Sequence, residues 1–169
     1  MDQELVERAR TLLDLCRTKG LSIAAAESCT GGLLAATLTE IAGSSDVFER
    51  GFVTYSNEAK QAMVGVTSAT LASHGAVSRE TAEAMASGAL AHAPVHLAVS
   101  ITGIAGPGGA VPGKPVGLVH FAAASHAGRL IARERNYGDI GRSRVRRASV
   151  IEALDMLHDL ATTEAASSG

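Results

Sequence analysis

The chain is expected to be an α/β protein: a three-layer α/β/α sandwich around a mixed, mostly parallel five-stranded sheet. Three observations predict this. Short apolar runs of strand character alternate with longer stretches of helical period. The runs are apolar on both faces, which is the pattern of strands covered by helices on each side. The last two runs are joined by too few residues for a crossover, so one of them runs antiparallel.

The elements follow in order. Residues 3–18 read as a helix, with Leu5, Leu12, Leu13 and Cys16 on one face and Gly20 placed to end it. "LSIAAA" is a short apolar strand. Residues 30–42 read as a helix through Leu33, Leu34, Leu38 and Ile41, closed by Gly43. "RGFVTYS" is the second strand, and "NEAKQAMVGV" a short helix capped by Asn57. A further turn or two of helix fits residues 67–73. "SRETAEAMASGALAHA" is a long helix capped by Ser78, and "VHLAVSIT" the third strand. After a Gly/Pro loop, "PVGLVHFAAAS" and "GRLIARERNY" form a hairpin turning at His126–Gly128. Residues 142–160 form the last helix.

A length of 169 residues is one domain's worth. The domain is placed at 1–160 and a disordered tail at 161–169. Hydrophobic residues make up 46% of the chain but aromatic residues only 3%, so close packing of small side chains is expected rather than an aromatic binding surface. The net charge of −2 offers no basic field to nucleic acid. No apolar stretch approaches the roughly 20 residues that span a bilayer. The start, "MDQELVERAR", lacks the apolar core of a signal peptide. Two cysteines, Cys16 and Cys29, form neither a disulfide framework nor a zinc-site spacing. These features point to a reduced, cytoplasmic protein that binds neither membrane nor nucleic acid; a homo-oligomer is left open.

Ligands of such folds sit beyond the carboxyl ends of the parallel strands. Three strand ends fall at Ser28, at Tyr55–Ser56 and at Thr102–Gly103, and polar residues collect there. Ser28 stands where a strand turns into a helix, beside Glu27, Cys29, Thr30 and Gly31. It reads either as a helix cap or as a nucleophile aided by helical N–H groups. "ESCTG" is not the G-x-S-x-G elbow. No histidine is well placed to serve as base. Lys60, in "TYSNEAK", is the best candidate, with a solvated surface lysine as the plain alternative. A lysine base must be neutral, and bringing its pKa of about 10.4 down to about neutrality takes about 4 kcal/mol of burial or charge repulsion.

The loop "TGIAGPGGAVPGKPVG" runs from Thr102 to Gly117. Gly108, Gly113 and Lys114 match the start of a P-loop, but Pro115 replaces the Ser/Thr and a strand follows instead of a helix, so no ATPase is expected. Gly103, Gly106, Gly108 and Gly109 still let backbone amides approach a phosphate or carboxylate. In "GRSRVRRAS", Arg142 and Arg146 are spaced to share one helical face and clamp a phosphate. No metal-ligand spacing is present, and neither metal nor cofactor is expected.

"ESCTGG", "GSS", "VTYSNEAK", "GAVS", "ITGIAGPGG" and "KPVG" stand in the order and spacing of the CinA C-terminal domain family. From about Glu4 to Leu160 the chain resembles this family, and within it the stand-alone nicotinamide-nucleotide amidases. Ala42 and Ala110 depart from it, standing where Pro and Gly are expected. The resemblance implies a serine amidohydrolase without a metal. It would convert nicotinamide mononucleotide to nicotinic acid mononucleotide and ammonia in pyridine-nucleotide salvage. It also implies Ser28 as nucleophile and Lys60 as base, with Tyr55 and Thr102 assisting.

On this reading Arg142 or Arg146 and the loop amides hold the phosphate. The amides of Cys29 to Gly31 hold the oxyanion, and Glu27 orients Lys60 or meets the pyridinium. The alternative is a regulatory module that binds a nucleotide without turning it over. The Ser28 and Lys60 pair speaks against that, because a binding module needs neither.

Overall fold

The computed structural model describes residues 1–167 of the chain. Its order is α1 (Gln3–Lys19), β1 (Ile23–Glu27), α2 (Leu33–Thr39), a 3₁₀ turn at Ser44–Asp46, β2 (Phe48–Val53), α3 (Asn57–Val64), α4 (Ser68–His74), α5 (Arg79–Ala91), β3 (Leu97–Gly103), β4 (Leu118–Ser125), β5 (Leu130–Asn136) and α6 (Arg142–Thr163).

The five strands form one sheet in the order β2-β1-β3-β4-β5. β1 pairs parallel with both β2 and β3, while β4 is antiparallel to β3 and to β5. Four strands therefore point one way and β4 alone runs against them. The short His126–Gly128 connection explains this, since only an antiparallel neighbour can be reached through so few residues.

Two helical layers complete the sandwich. α1, α2 and α6 cover one face of the sheet, and α5, with α3 and α4 packed on it, covers the other. The larger core lies under α1 and α6, where Leu12, Leu13, Leu154 and Leu157 meet Ile23, Val99 and Phe121. The opposite core is built of small residues, Ala26, Ala98, Ala82, Ala86 and Ala122, with Met85 between them. That alanine-rich layer is where the low aromatic content goes. No helix among the described residues is long and apolar enough to cross a membrane.

Several boundaries differ from the sequence reading, each for a physical reason. The helix expected at 30–42 begins only at Leu33, because Gly31 and Gly32 hold φ of 55° and 100°, a left-handed turn that ordinary residues resist. The second strand lies at Phe48–Val53 rather than 50–56. It is the sheet's edge, and Glu49, Arg50 and Gly51 are exposed, so it is not the doubly covered strand expected. Ser56, not Asn57, caps α3: its hydroxyl accepts from the Ala59 amide at 3.0 Å. α6 passes the expected end at Leu160 because the Lys19 ammonium donates to the carbonyls of Ala161, Thr162 and Glu164. The Ser167 amide then donates to the Lys19 carbonyl, so the segment from 161 to 167 is tied to α1 rather than free as expected. Residues 168 and 169 of the expected tail lie outside the described residues.

Candidate active site

Ser28 leaves the carboxyl end of β1 with its neighbours fixed on both sides. Its amide donates to the Ile101 carbonyl on β3, and the Thr54 amide beyond β2 donates to the Glu27 carbonyl. Three strand ends are thereby drawn into one rim. Lys60, on the second turn of α3, reaches back beneath that rim.

Lys60 Nζ lies 3.0 Å from Ser28 Oγ, 2.9 Å from the Thr54 carbonyl and 3.5 Å from the Tyr55 carbonyl. The side chain is only 1% exposed and has no carboxylate partner among its hydrogen bonds. Burial pushes its pKa below the usual lysine range, because the charged form loses its water. A neutral amine suits this setting. Two N–H groups directed to the two carbonyls leave a lone pair for the hydroxyl proton of Ser28.

The pair opens into a cleft of about 300 Å³. Cys29, Tyr55 and Thr102 line it beside Ser28 and Lys60, and Gly103, Gly106, Gly108 and Gly109 form its loop wall. Arg142 stands at its mouth, where one guanidinium nitrogen donates to Tyr55 Oη at 2.9 Å and another to the Gly106 carbonyl at 2.8 Å. Lys60 and Arg142 are the charged residues of the lining, which carries no carboxylate. Arg142 is the first residue of α6, whose N-terminus has no side-chain cap. Orphan helical amides and a guanidinium together favour an anion.

Gly103 is required where β3 leaves for the loop. A Cβ there would stand 2.8 Å from the Leu118 carbonyl oxygen and 2.7 Å from Val119 Cγ2. The amides of Gly108 and Gly109 form no hydrogen bond to any described residue, so they stay available to a ligand. Lys114, the lysine of the rejected P-loop pattern, donates instead to the His74 carbonyl at 2.7 Å and pins the loop to the end of α4.

Four expected site residues lie elsewhere. The Glu27 carboxylate accepts from the Leu34 and Ala35 amides at 2.9 and 3.0 Å. It caps α2, which explains why it neither orients Lys60 nor faces the cleft. This also removes the cap reading of Ser28, since Glu27 has taken the helical amides. Thr30 lies beside the turn with its hydroxyl buried and unpartnered. The Gly31 amide donates to the Ser28 carbonyl within the turn and is spent. Arg146 donates to the Thr30 carbonyl at 2.9 Å, behind the turn rather than in the cleft, so it does not clamp a phosphate beside Arg142. Thr102 does line the cleft, yet its hydroxyl donates to the Ala76 carbonyl at 2.7 Å and holds the segment entering α5.

Five lining residues were missed: Asn57, Ala76, Val77, Ile104 and Ala105. Asn57 was assigned to capping, and with Ser56 in that role its side chain is left facing the cleft. Ser56, one residue earlier, takes the cap instead, its hydroxyl accepting from the Ala59 amide. Ala76, Val77, Ile104 and Ala105 also line the wall, and apolar residues in a loop carry no chemical signal that could have flagged them.

Comparison with known proteins gives the family and the fold. The family model described as "CinA C-terminal domain" matches residues 6–161. The chain is 50% identical over 157 residues to nicotinamide-nucleotide amidohydrolase PncC of Escherichia coli K12, covering 92% of this chain and 94% of that protein. It is 50% identical over 143 residues to a CinA-like protein of Geobacter sulfurreducens, of which it spans 34%. The crystal structure of competence/damage inducible protein CihA from Agrobacterium tumefaciens superposes with a TM-score of 0.93 at 52% identity, covering 95% of this chain and 97% of that one. One sheet, one cleft at its strand ends and one family pattern running through nearly every residue lead to the same statement: the chain belongs to the CinA C-terminal domain family.

Proposed function

We propose that the protein hydrolyses the carboxamide of nicotinamide mononucleotide, giving nicotinic acid mononucleotide and ammonia, with Ser28 as nucleophile and Lys60 as its base. The observation that carries this reading is the buried Lys60–Ser28 contact of 3.0 Å at the floor of a cationic cleft. The 50% identity to a nicotinamide-nucleotide amidohydrolase supports the choice of substrate.

The phosphate meets the α6 amides, Arg142 and the Gly108–Gly109 amides at the mouth. That places the pyridinium carboxamide toward the strand ends. Neutral Lys60 takes the proton from Ser28 Oγ as Oγ bonds to the amide carbon. The oxyanion is received by the amide of Cys29, a residue of the cleft lining, which donates to no other described residue. The Lys60 ammonium then returns its proton to the departing nitrogen, and ammonia leaves as the C–N bond breaks. Water attacks the resulting ester, giving its proton to Lys60. The acyl–oxygen bond breaks, the proton passes to Ser28 Oγ, and the acid is freed. Tyr55 holds the Arg142 side of the mouth, and Thr102 holds the opposite wall.

The test is direct. The purified chain is incubated with nicotinamide mononucleotide, and ammonia and nicotinic acid mononucleotide are measured. Stoichiometric, catalytic formation of both is expected. Saturable binding of the nucleotide with no ammonia released would replace the amidase by a binding module.

A further inference from the structure

Arg142 and Arg146 stand one helical turn apart on α6, yet they serve different places. Arg142 faces the cleft, whereas Arg146 and its partner Thr30 line no part of it. The Ser28–Gly32 turn belongs to no ladder and contains two left-handed glycines. Its ends are tied by Ser28 N to Ile101 O at 3.0 Å and Ala36 N to Gly32 O at 2.8 Å, and between them stand Gly31 N to Ser28 O and Leu33 N to Thr30 O, each 3.0 Å. Among the described residues, Arg146 Nη2 makes the one side-chain hydrogen bond to the backbone of this turn, 2.9 Å to Thr30 O.

This arrangement is locally unfavourable. Arg146 Nε is buried without a partner, and so is Thr30 Oγ1. An unmet buried donor or acceptor costs stability, and an aliphatic side chain at 146 would avoid the first of these costs. Such unmet groups in a native structure call for an explanation other than stability. The carbonyl that Arg146 grips belongs to the turn that carries Ser28, two residues before it.

We propose that Arg146 is a positioning residue for the nucleophile turn. Its guanidinium, carried on the rigid α6, fixes the Thr30 carbonyl, and so the Thr30–Gly31 peptide plane and the course of the turn that presents Ser28 Oγ. This rests on Ser28 being the nucleophile proposed above. It assigns Arg146 to the transition state and not to the phosphate.

Two variants of the full chain test it. Arg146→Met keeps the stem and removes every donor; Arg146→Lys keeps the charge and one donor. With nicotinamide mononucleotide, Arg146→Met is expected to lower kcat about 30–100-fold with KM within about twofold, the scale of a misplaced reacting group. Arg146→Lys should recover part of that loss. In parallel, a fluorophosphonate probe reports Ser28 nucleophilicity without any nucleotide, read as mass added at Ser28. Labelling of Arg146→Met should slow at least about tenfold, the kinetic sign of a loosened nucleophile and oxyanion site.

A kcat within about threefold of the parent in both variants would overturn the proposal, because a positioning loss must appear in turnover. So would a raised KM at unchanged kcat, which returns Arg146 to the phosphate. If Arg146→Met does not fold, Arg146→Lys and its labelling rate decide. A parent chain that is labelled at Ser28 but releases no ammonia overturns the substrate alone, and the labelling rates still judge Arg146. A parent chain not labelled at Ser28 overturns both.

Discussion

Arg142 and Tyr55, 87 residues apart, meet at 2.9 Å across the mouth of the cleft, and the same guanidinium holds the Gly106 carbonyl at 2.8 Å. Tyr55 is 60% exposed, so the contact is made at the solvent edge, where an incoming anion can compete for the guanidinium. Arg142→Ala is therefore expected to raise KM about 10–100-fold, the range of a charge-assisted hydrogen bond, while kcat stays within about threefold. Steady-state kinetics with nicotinamide mononucleotide check this. A fall in kcat at constant KM would place Arg142 on the reacting group.

Glu27 gives a prediction about stability. Its buried carboxylate spans the Leu34 and Ala35 amides at the start of α2. Glu27→Gln turns one acceptor into a donor facing an N–H, which leaves a buried amide unmet and should cost about 1–3 kcal/mol. Thermal unfolding should shift down by several degrees, with KM for the nucleotide unchanged. A raised KM at unchanged Tm would restore Glu27 to the substrate.

The division between Glu27 and Ser28 shows what was legible in the sequence. The strand, the glycine pair and the helix could be read from apolar runs and breakers, and the meeting of three strand ends followed from the α/β pattern. Which of two adjacent polar residues caps the helix could not be read, because the choice depends on the left-handed turn at Gly31 and Gly32 delaying the helix to Leu33. Arg146 was misassigned for a similar reason. Its spacing of four from Arg142 is correct for one helical face, but the face is wide enough for one arginine to meet the cleft and the other to meet the turn behind it. The edge position of β2 was also hidden, since Phe52 and Val53 look like core residues until the strand order is known.

Cys29 lies beside Ser28 in the cleft and could be mistaken for the nucleophile. Burial pushes its thiol up to about 11, so it holds its proton at neutral pH and is a poor nucleophile there. Cys29→Ser should keep kcat within about threefold, since in the proposed mechanism its backbone amide and not its sulfur receives the oxyanion. Ammonia-release assays beside Ser28→Ala settle the matter: equal losses in the two variants would make Cys29 part of the chemistry.

The lowered pKa of Lys60 sets two pH responses. Only the neutral amine accepts the Ser28 proton, so kcat should rise with pH and level off above the working pKa of Lys60, below the value of an ordinary lysine. Stability should follow the same sign. Between the folded pKa and the higher unfolded one, the unfolded chain binds more protons, so stability rises as pH rises through that window. Below the folded pKa the cost of the buried ammonium is fully present. Lys60→Met should remove that slope and raise Tm at neutral pH while abolishing turnover. Parallel thermal melts and pH–rate profiles of the two proteins check both signs, and a pH-independent kcat would remove Lys60 as the base.

The central claim is that Ser28 and Lys60 act as one unit, and a double-mutant cycle in kcat tests it most directly. Ser28→Ala, Lys60→Met and the double variant are compared with nicotinamide mononucleotide, and nucleotide binding is titrated separately. Each single change is expected to lower kcat at least about a thousandfold, and the double variant should lose no more than about threefold beyond the worse single one, with binding nearly unchanged throughout. Losses that multiply independently, or a Lys60→Met variant whose main defect is weak binding, would contradict the account and leave Lys60 as a charge that only places the substrate.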